Sequence, residues 1–481
     1  IHVKRDGVYF EQSSYYHRYT ADFYIHFVLL SEANGEPVEL TVLEKLQALL
    51  DHLMYITRPD GTTPFVGDDD GGHLVMLDDR PANDFRSTLS NGAALFKRDD
   101  YRFVAGEIAE ETLWLFGNSG LEKIDRMGFS KPAKTSASFQ QSGFFVMRDG
   151  WSADANYLLL DCGPHGAVSC GHAHADALSL DLAANGRRIL VDPGTYTYTG
   201  SIQMRNSFRG SRAHNCLTID GESSSVPDGP FSWLTIAKCQ TDAWISNNYF
   251  DFFEGQHDGY HQLSPPVNQS RSVLFVKNNY FIVRDRIVTS GKHDLQLWFH
   301  CDPQMTPTIS AIDGIHQMAV LDSALALSVF GGDGQLTQEE GWVSFCYGRK
   351  TAAPVCVYKS TSVGVRDLFT FLLPFKNNRI PALRQKEAVG GWAFEVDDGE
   401  HTDLVLILDS QNAYVKSGDV STNCRWSWAR FDSSVASLPV EIRLMSGSRF
   451  SIAGYDVINL QKQVDGVVAT RRDNQMDVEQ L

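Results

Sequence analysis

The stretch Cys170-Gly171-His172-Ala173-His174-Ala175-Asp176-Ala177-Leu178-Ser179, running on through Asn185-Gly186 to Val191-Asp192-Pro193-Gly194, sets the character of the chain. Leu178-Ser-Leu-Asp-Leu and Arg188-Ile-Leu-Val read as two short strands. Asn185-Gly186 between them is a strong two-residue hairpin signal, because both turn positions need positive φ. In an extended strand His172, His174 and Asp176 would point to one face. A simple register through the turn sets Asp192 opposite Ser179, five residues from His174, so a bend or bulge must bring the two together.

A third histidine follows in Arg212-Ala213-His214-Asn215. Two imidazoles and a carboxylate suit a borderline metal ion and leave a fourth position open, which makes His174, Asp192 and His214 candidate zinc ligands. The competing reading is three separately satisfied core or surface residues. Between Asp192 and His214 lie Tyr196 and Tyr198 and then Arg205, Arg209 and Arg212. Guanidinium groups grip carboxylates and sulfates in a bidentate fork, so this run could supply a local positive field; otherwise it is a solvated loop.

Outward from that stretch, the pattern changes about a quarter of the way along. Tyr16, Tyr19, Phe23, Phe27 and Leu30 recur three and four apart, as do Val42, Leu46, Leu49, Leu50 and Leu53, which predicts two amphipathic helices. A third helical stretch is expected over residues 84–109. The loop between carries Gly67-Asp68-Asp69-Asp70-Gly71-Gly72; it lacks the spacing of a calcium loop and reads as a solvated turn. After Gly120 short strands take over: Gly143-Phe-Phe-Val-Met, Tyr157-Leu-Leu-Leu, Ser272-Val-Leu-Phe-Val, Tyr280-Phe-Ile-Val and Leu404-Val-Leu-Ile-Leu. The expected plan is multidomain α+β: a helical part over 1–125, an antiparallel β-region with the His/Asp site over 126–400, and closing strands with a tail over 401–481.

Composition narrows the function. At 481 residues and 43% hydrophobic the chain can bury a large core. A formal charge of −17 argues against general nucleic-acid binding and, at first sight, against an anionic polymer; a local basic patch would have to overrule it. No run of about 18 apolar residues occurs, so membrane insertion is not expected. The start, Ile1-His2-Val3-Lys4-Arg5-Asp6, has neither an initiator methionine nor a signal-peptide profile and reads as a mature or truncated piece. Eight cysteines show no C-x-x-C pair.

The run 171–180 through Asn185-Gly186, Leu190-Val191-Asp192-Pro193-Gly194-Thr195-Tyr196 and Ala213-His214-Asn215 closely resembles the heparinase II/III-like polysaccharide lyases, which include related alginate lyases. Further likenesses are Asp6-Gly7-Val8-Tyr9-Phe10-Glu11-Gln12-Ser13-Ser14-Tyr15-Tyr16-His17, Trp298-Phe299-His300, and Gly341-Trp342-Val343-Ser344 with Tyr347-Gly348. The resemblance implies an (α/α) toroid, here its C-terminal part, followed by antiparallel β-sheets in a β-sandwich, with the cleft between them. It implies β-elimination on a uronate polysaccharide such as alginate, a heparin-like glycosaminoglycan or an exopolysaccharide. Tyr16 would be the acid, and also the base when both events occur on one face of the sugar; His172 would be the base in the opposite geometry. His174, Asp192 and His214 would hold one structural zinc ion. The group that neutralises the uronate carboxylate is expected upstream of Ile1.

Other expectations carry alternatives. Tyr16 sits on an apolar stripe, where an aromatic usually packs in a core, and Tyr15 is its neighbour. Gln12 and Glu11 could line the sugar site. His300 could border the cleft but reads rather as structural, and Arg205, Arg209 and Arg212 are candidates for holding acidic groups. A non-catalytic glycan-handling protein with the same fold is the main alternative function, and a zinc hydrolase a third. A polymeric substrate places the protein in the periplasm or outside the cell; its oligomeric state is open.

Overall fold

The computed structural model describes residues 2–166, 169–313, 315–432, 438–472 and 475–481. It is mostly β-sheet with some helices, and it divides into two units: Ile1–Ser246 with Phe250–Pro374, and Asn247–Tyr249 with Phe375–Leu481.

In the first unit five helices come first: α1 Ser14–Ala33, α2 Leu40–Ile56, α3 Arg86–Phe96, α4 Asp99–Ala105 and α5 Glu110–Asp125. The Ser13 side chain caps α1 by accepting the Tyr16 N–H at 3.1 Å. The expected apolar stripe of α1 is not the one that packs inward. Phe23 and Phe27 are 48% and 52% exposed and Leu30 more so, whereas Tyr15, Ala21, Ile25 and Val28 on another face are buried. The helix is thus apolar on two sides, and periodicity alone cannot choose between them. In α2 the predicted residues Leu46, Leu49, Leu50 and Leu53 are buried. The single helix expected over 84–109 is broken, because Lys97 adopts a left-handed conformation (φ 54°) that ends α3; Asp99 and Asp100 then open α4, where acidic side chains favour the helix dipole.

A five-stranded antiparallel meander follows: β1 Ala137–Phe139, β2 Phe144–Arg148, β3 Tyr157–Asp161, β4 Leu180–Ala184 and β5 Arg187–Leu190. Asn185 and Gly186 both have positive φ, as the hairpin requires. Alternation sends Phe144, Val146, Tyr157 and Leu159 into a core shared with α1–α3, and Phe145, Met147, Leu158 and Leu160 into a second core shared with a ten-stranded sheet. That large sheet is built on two long paired strands, Tyr280–His300 and Arg349–Pro374. Because helices and the meander share one core, no boundary falls at residue 125. The strands Ala382–Lys386 and Gly391–Asp397 belong with the nine-stranded sheet of the second unit, so the division lies at 374–375 rather than 400.

The segment 170–178 is not extended, contrary to the strand expectation. Leu178 has φ 61°; its N–H donates to the Asp161 carbonyl at 2.8 Å and its own carbonyl accepts from the Arg271 guanidinium at 2.6 Å. The chain therefore turns before β4, and the register of the β4–β5 hairpin shifts between Leu182 and Ala183. Asn215 ties these pieces together. Its amide donates to the carbonyls of Leu180 (2.8 Å) and Val191 (3.1 Å), and its Oδ1 accepts the His300 N–H at 2.6 Å. Asn215→Leu leaves three buried polar groups unpaired and is expected to cost about 3 kcal/mol; a denaturant midpoint equal to that of the unmutated protein would contradict this.

Candidate active site and metal centre

Three loops and the start of α1 meet around Asp68. The approach is possible because Gly67 lies in the left-handed region (φ 66°), where a Cβ would come within 2.7 Å of the His172 carbonyl. The Asp68 N–H donates to that carbonyl at 2.9 Å, and its own carbonyl accepts from the Ser13 hydroxyl at 2.6 Å, which couples the loop to the cap of α1. The carboxylate is fully buried. It accepts from both terminal nitrogens of the Arg205 guanidinium, one of them at 2.7 Å, from the Thr195 hydroxyl at 3.2 Å, and from His174 Nε2 (3.0 Å) and His172 Nδ1 (3.2 Å). Burial alone would raise its pKa; the hydrogen bonds from His172 and His174 and the charge of Arg205 outweigh that and hold it well below the usual carboxylate range.

An ionised carboxylate only accepts, so both histidines turn an N–H toward Asp68. In the neutral imidazole form that leaves His172 Nε2 and His174 Nδ1 as the lone-pair nitrogens. The rings of His172 and Tyr16 lie 4.5 Å apart, centroid to centroid. The Tyr16 and Tyr198 hydroxyls are hydrogen-bonded at 2.8 Å, and the Tyr198 N–H donates to the Tyr347 hydroxyl at 3.0 Å. Burial, reinforced by the charges of Asp70 and Asp68 against the opposing hydrogen bond from Tyr198, pushes the Tyr16 phenol far above its ordinary value, so it stays protonated. A neutral phenol and an imidazole with a free lone pair thus face each other: a proton donor beside a proton acceptor.

Behind His172, the side chains of His174, Asp192 and His214 are buried and present ligand atoms all within 4.8 Å of one another. His174 Nδ1 and His214 Nε2 are buried without a hydrogen-bond partner, and Asp192 Oδ2 meets His214 Nδ1 at 2.8 Å. Two orphaned imidazole nitrogens beside a carboxylate fit a metal ion. The bond from His174 to Asp68 is the outer support that metal-binding imidazoles commonly have. Gly194 (φ 65°) permits the turn after Asp192; a Cβ there would lie 2.3 Å from the Ser344 carbonyl.

Other expected residues do not converge here. Asp176 is buried, but it stands outside the His174–Asp192–His214 group. Gln12 is buried, donating to the Ser142 carbonyl at 2.7 Å and accepting from Lys4 at 2.6 Å. Arg205 is consumed by Asp68. Arg209 is also buried, donating to the carbonyls of Gly229 and Pro230. Arg212 is exposed and pairs with Glu339 at 3.0 Å. His300 is buried, bonded to the Arg212 carbonyl at 2.9 Å, and burial lowers its pKa to about 4, so it is a neutral structural group. The acidic triplet is no solvated turn: Asp68 and Asp69 are fully buried, and burial, with the charges of Asp70 and Asp68, pushes Asp69 up to about 7. Sequence reasoning assigned no role to Asp68, Tyr198 or Tyr347. The glycines flanking the triplet were the available signal for a close approach.

Residues 131–368 match the profile of the heparinase II/III-like C-terminal family. The segment is a heparinase II/III-like C-terminal domain. Among similar proteins, a heparin-sulfate lyase of Pedobacter heparinus is 23% identical over 402 residues, covering 81% of this chain and 54% of that protein. One from Bacteroides stercoris is 23% identical over 79% of this chain and 52% of its own length. The chain spans about half the length of these relatives. A crystal structure of a heparan sulfate lyase from Pedobacter heparinus superposes with a TM-score of 0.65 at 21% identity, over 85% of this chain and 60% of that one, and shows a shared fold.

Asp68→Asn removes the counter-charge of a buried guanidinium and is expected to cost about 3–5 kcal/mol. Equilibrium unfolding measures this, and a loss below about 1 kcal/mol would mean that Arg205 finds another partner.

Proposed function

We propose that this heparinase II/III-like chain carries the proton-transfer site of a polysaccharide lyase that cleaves a uronate-containing glycan of the heparan sulfate type by β-elimination. The observation that carries the reading is the contact between Tyr16, from the first helix, and His172, from the β-region, over an ionised Asp68. In the proposed reaction His172 Nε2 takes the proton from the carbon beside the uronate carboxylate. The C–H electron pair becomes the new double bond, the glycosidic C–O bond breaks, and the departing oxygen receives the Tyr16 proton. Burial keeps the phenol protonated, as an acid must be before it donates, and the Tyr198 hydroxyl bonded to it can return a proton afterwards. Relatives named for heparin-sulfate cleavage support the substrate class.

Two further parts belong to this proposal. The exposed apolar face of α1, with exposed Trp114 on α5, is what helices from the C-terminal part of an (α/α) toroid would present, the remainder covering that face and bringing the group that neutralises the uronate. The His174–Asp192–His214 group holds zinc, which when bound anchors the loop carrying His172 and performs no chemical step. A polymeric substrate places the protein in the periplasm or outside the cell, and among the described residues no helix is long and apolar enough to cross a membrane.

The full-length protein should convert heparan sulfate to products with the ultraviolet absorbance of an unsaturated uronate, and Tyr16→Phe and His172→Ala should each lower kcat by at least about 100-fold. Saturable glycan binding without new absorbance, on alginate and other uronate polymers as well, would leave a non-catalytic glycan-binding protein instead. Elemental analysis is expected to find one zinc per chain, absent in His214→Ala. Chelation should lower the thermal midpoint; loss of turnover with an unchanged midpoint would point to a catalytic metal.

A further inference from the structure

With Arg205 and Arg209 buried against the protein and Arg212 paired with Glu339, the acidic groups of a substrate need another cation. Lys350 meets that need. Its ammonium lies 3.9 Å from the centroid of the Trp342 ring and 5.3 Å from that of Tyr196. Among the described residues no carboxylate lies within ion-pair reach of it. Two aromatic faces fix the position of an ammonium without neutralising its charge, and leave its N–H donors for a ligand. In a chain of net charge −17, a cation kept unneutralised in this way creates a local positive field.

Its position ties it to the proton-transfer pair. Lys350 is the second residue of the long strand Arg349–Pro374, just after the turn Tyr347–Gly348. The Gly348 N–H donates to the Tyr196 carbonyl at 3.0 Å, and the Tyr347 hydroxyl accepts from the N–H of Tyr198, whose own hydroxyl is bonded to Tyr16. Trp342 itself is 39% exposed. We propose that Lys350, held between Trp342 and Tyr196, binds an anionic oxygen group, sulfate or carboxylate, on the sugar next to the one that is cleaved. This rests on the lyase reading above.

The test uses the full-length protein on heparan sulfate and on its unsulfated counterpart, heparosan, which keeps the carboxylates. Lys350→Met should raise KM roughly five- to tenfold with kcat unchanged, flatten the salt dependence of KM, and keep the wild-type thermal midpoint; Lys350→Arg should recover most of the loss. A rise on both polymers assigns the contact to carboxylate, and a rise on heparan sulfate alone assigns it to sulfate. An unchanged KM on both overturns the subsite and leaves the lyase reading standing. In parallel, calorimetric titration of a heparan sulfate tetrasaccharide into the Tyr16→Phe protein, with and without Lys350→Met, reads binding without turnover. If no uronate polymer is cleaved, the reaction is wrong and this titration alone decides the subsite; equal affinity of the two proteins, or no binding by either, overturns it.

Discussion

Everything at the site hangs on one buried carboxylate. Taking a carboxylate out of water is costly unless fixed donors replace the lost hydration. Asp68 has a guanidinium fork, two imidazoles, a hydroxyl and, through its backbone, the cap of α1. Its ionisation dictates the tautomer of both histidines at once. The nitrogen that His172 turns toward Asp68 leaves the other free to take a proton, and the same choice at His174 leaves a nitrogen free for a metal ion. One acid therefore couples His172 to the His174–Asp192–His214 group through hydrogen bonds alone.

Much of this was legible in the sequence, and the failures share a cause. The hairpin at Asn185-Gly186, the buried side of α2, the strands and the convergence of His174, Asp192 and His214 follow from local chemistry: turn residues with positive φ, periodic apolar positions, ligand types clustered in sequence. What could not be read was which polar groups are partners across long separations. The Gly67–Gly72 run looks hydrophilic and hence solvated, yet its first aspartate finds Arg205 well over a hundred residues away. The same pairing removes that arginine from the surface, so the error about the acidic loop and the error about the arginine cluster are one error. For α1, two apolar stripes on one helix made the choice of inner face undecidable from periodicity.

The arginines also show where a strongly acidic chain spends its basic side chains. Arg205 and Arg209 hold loop carbonyls and a carboxylate in place, and so shape the wall of the site from within. Lys350 differs from them: it is held by aromatic faces, in the segment following the Gly341-Trp342 motif, with no carboxylate in ion-pair reach among the described residues.

The five-stranded meander has water on neither broad face: one side belongs to the helical core and the other to the core of the large sheet. A layer of this kind cannot lose one neighbour without baring apolar side chains, so within the first unit the helices and the sheet should melt as a single cooperative body. Tyr16, on α1, and His172, in the connection between β3 and β4, then share its fate. Global unfolding of that body is therefore expected to separate the pair.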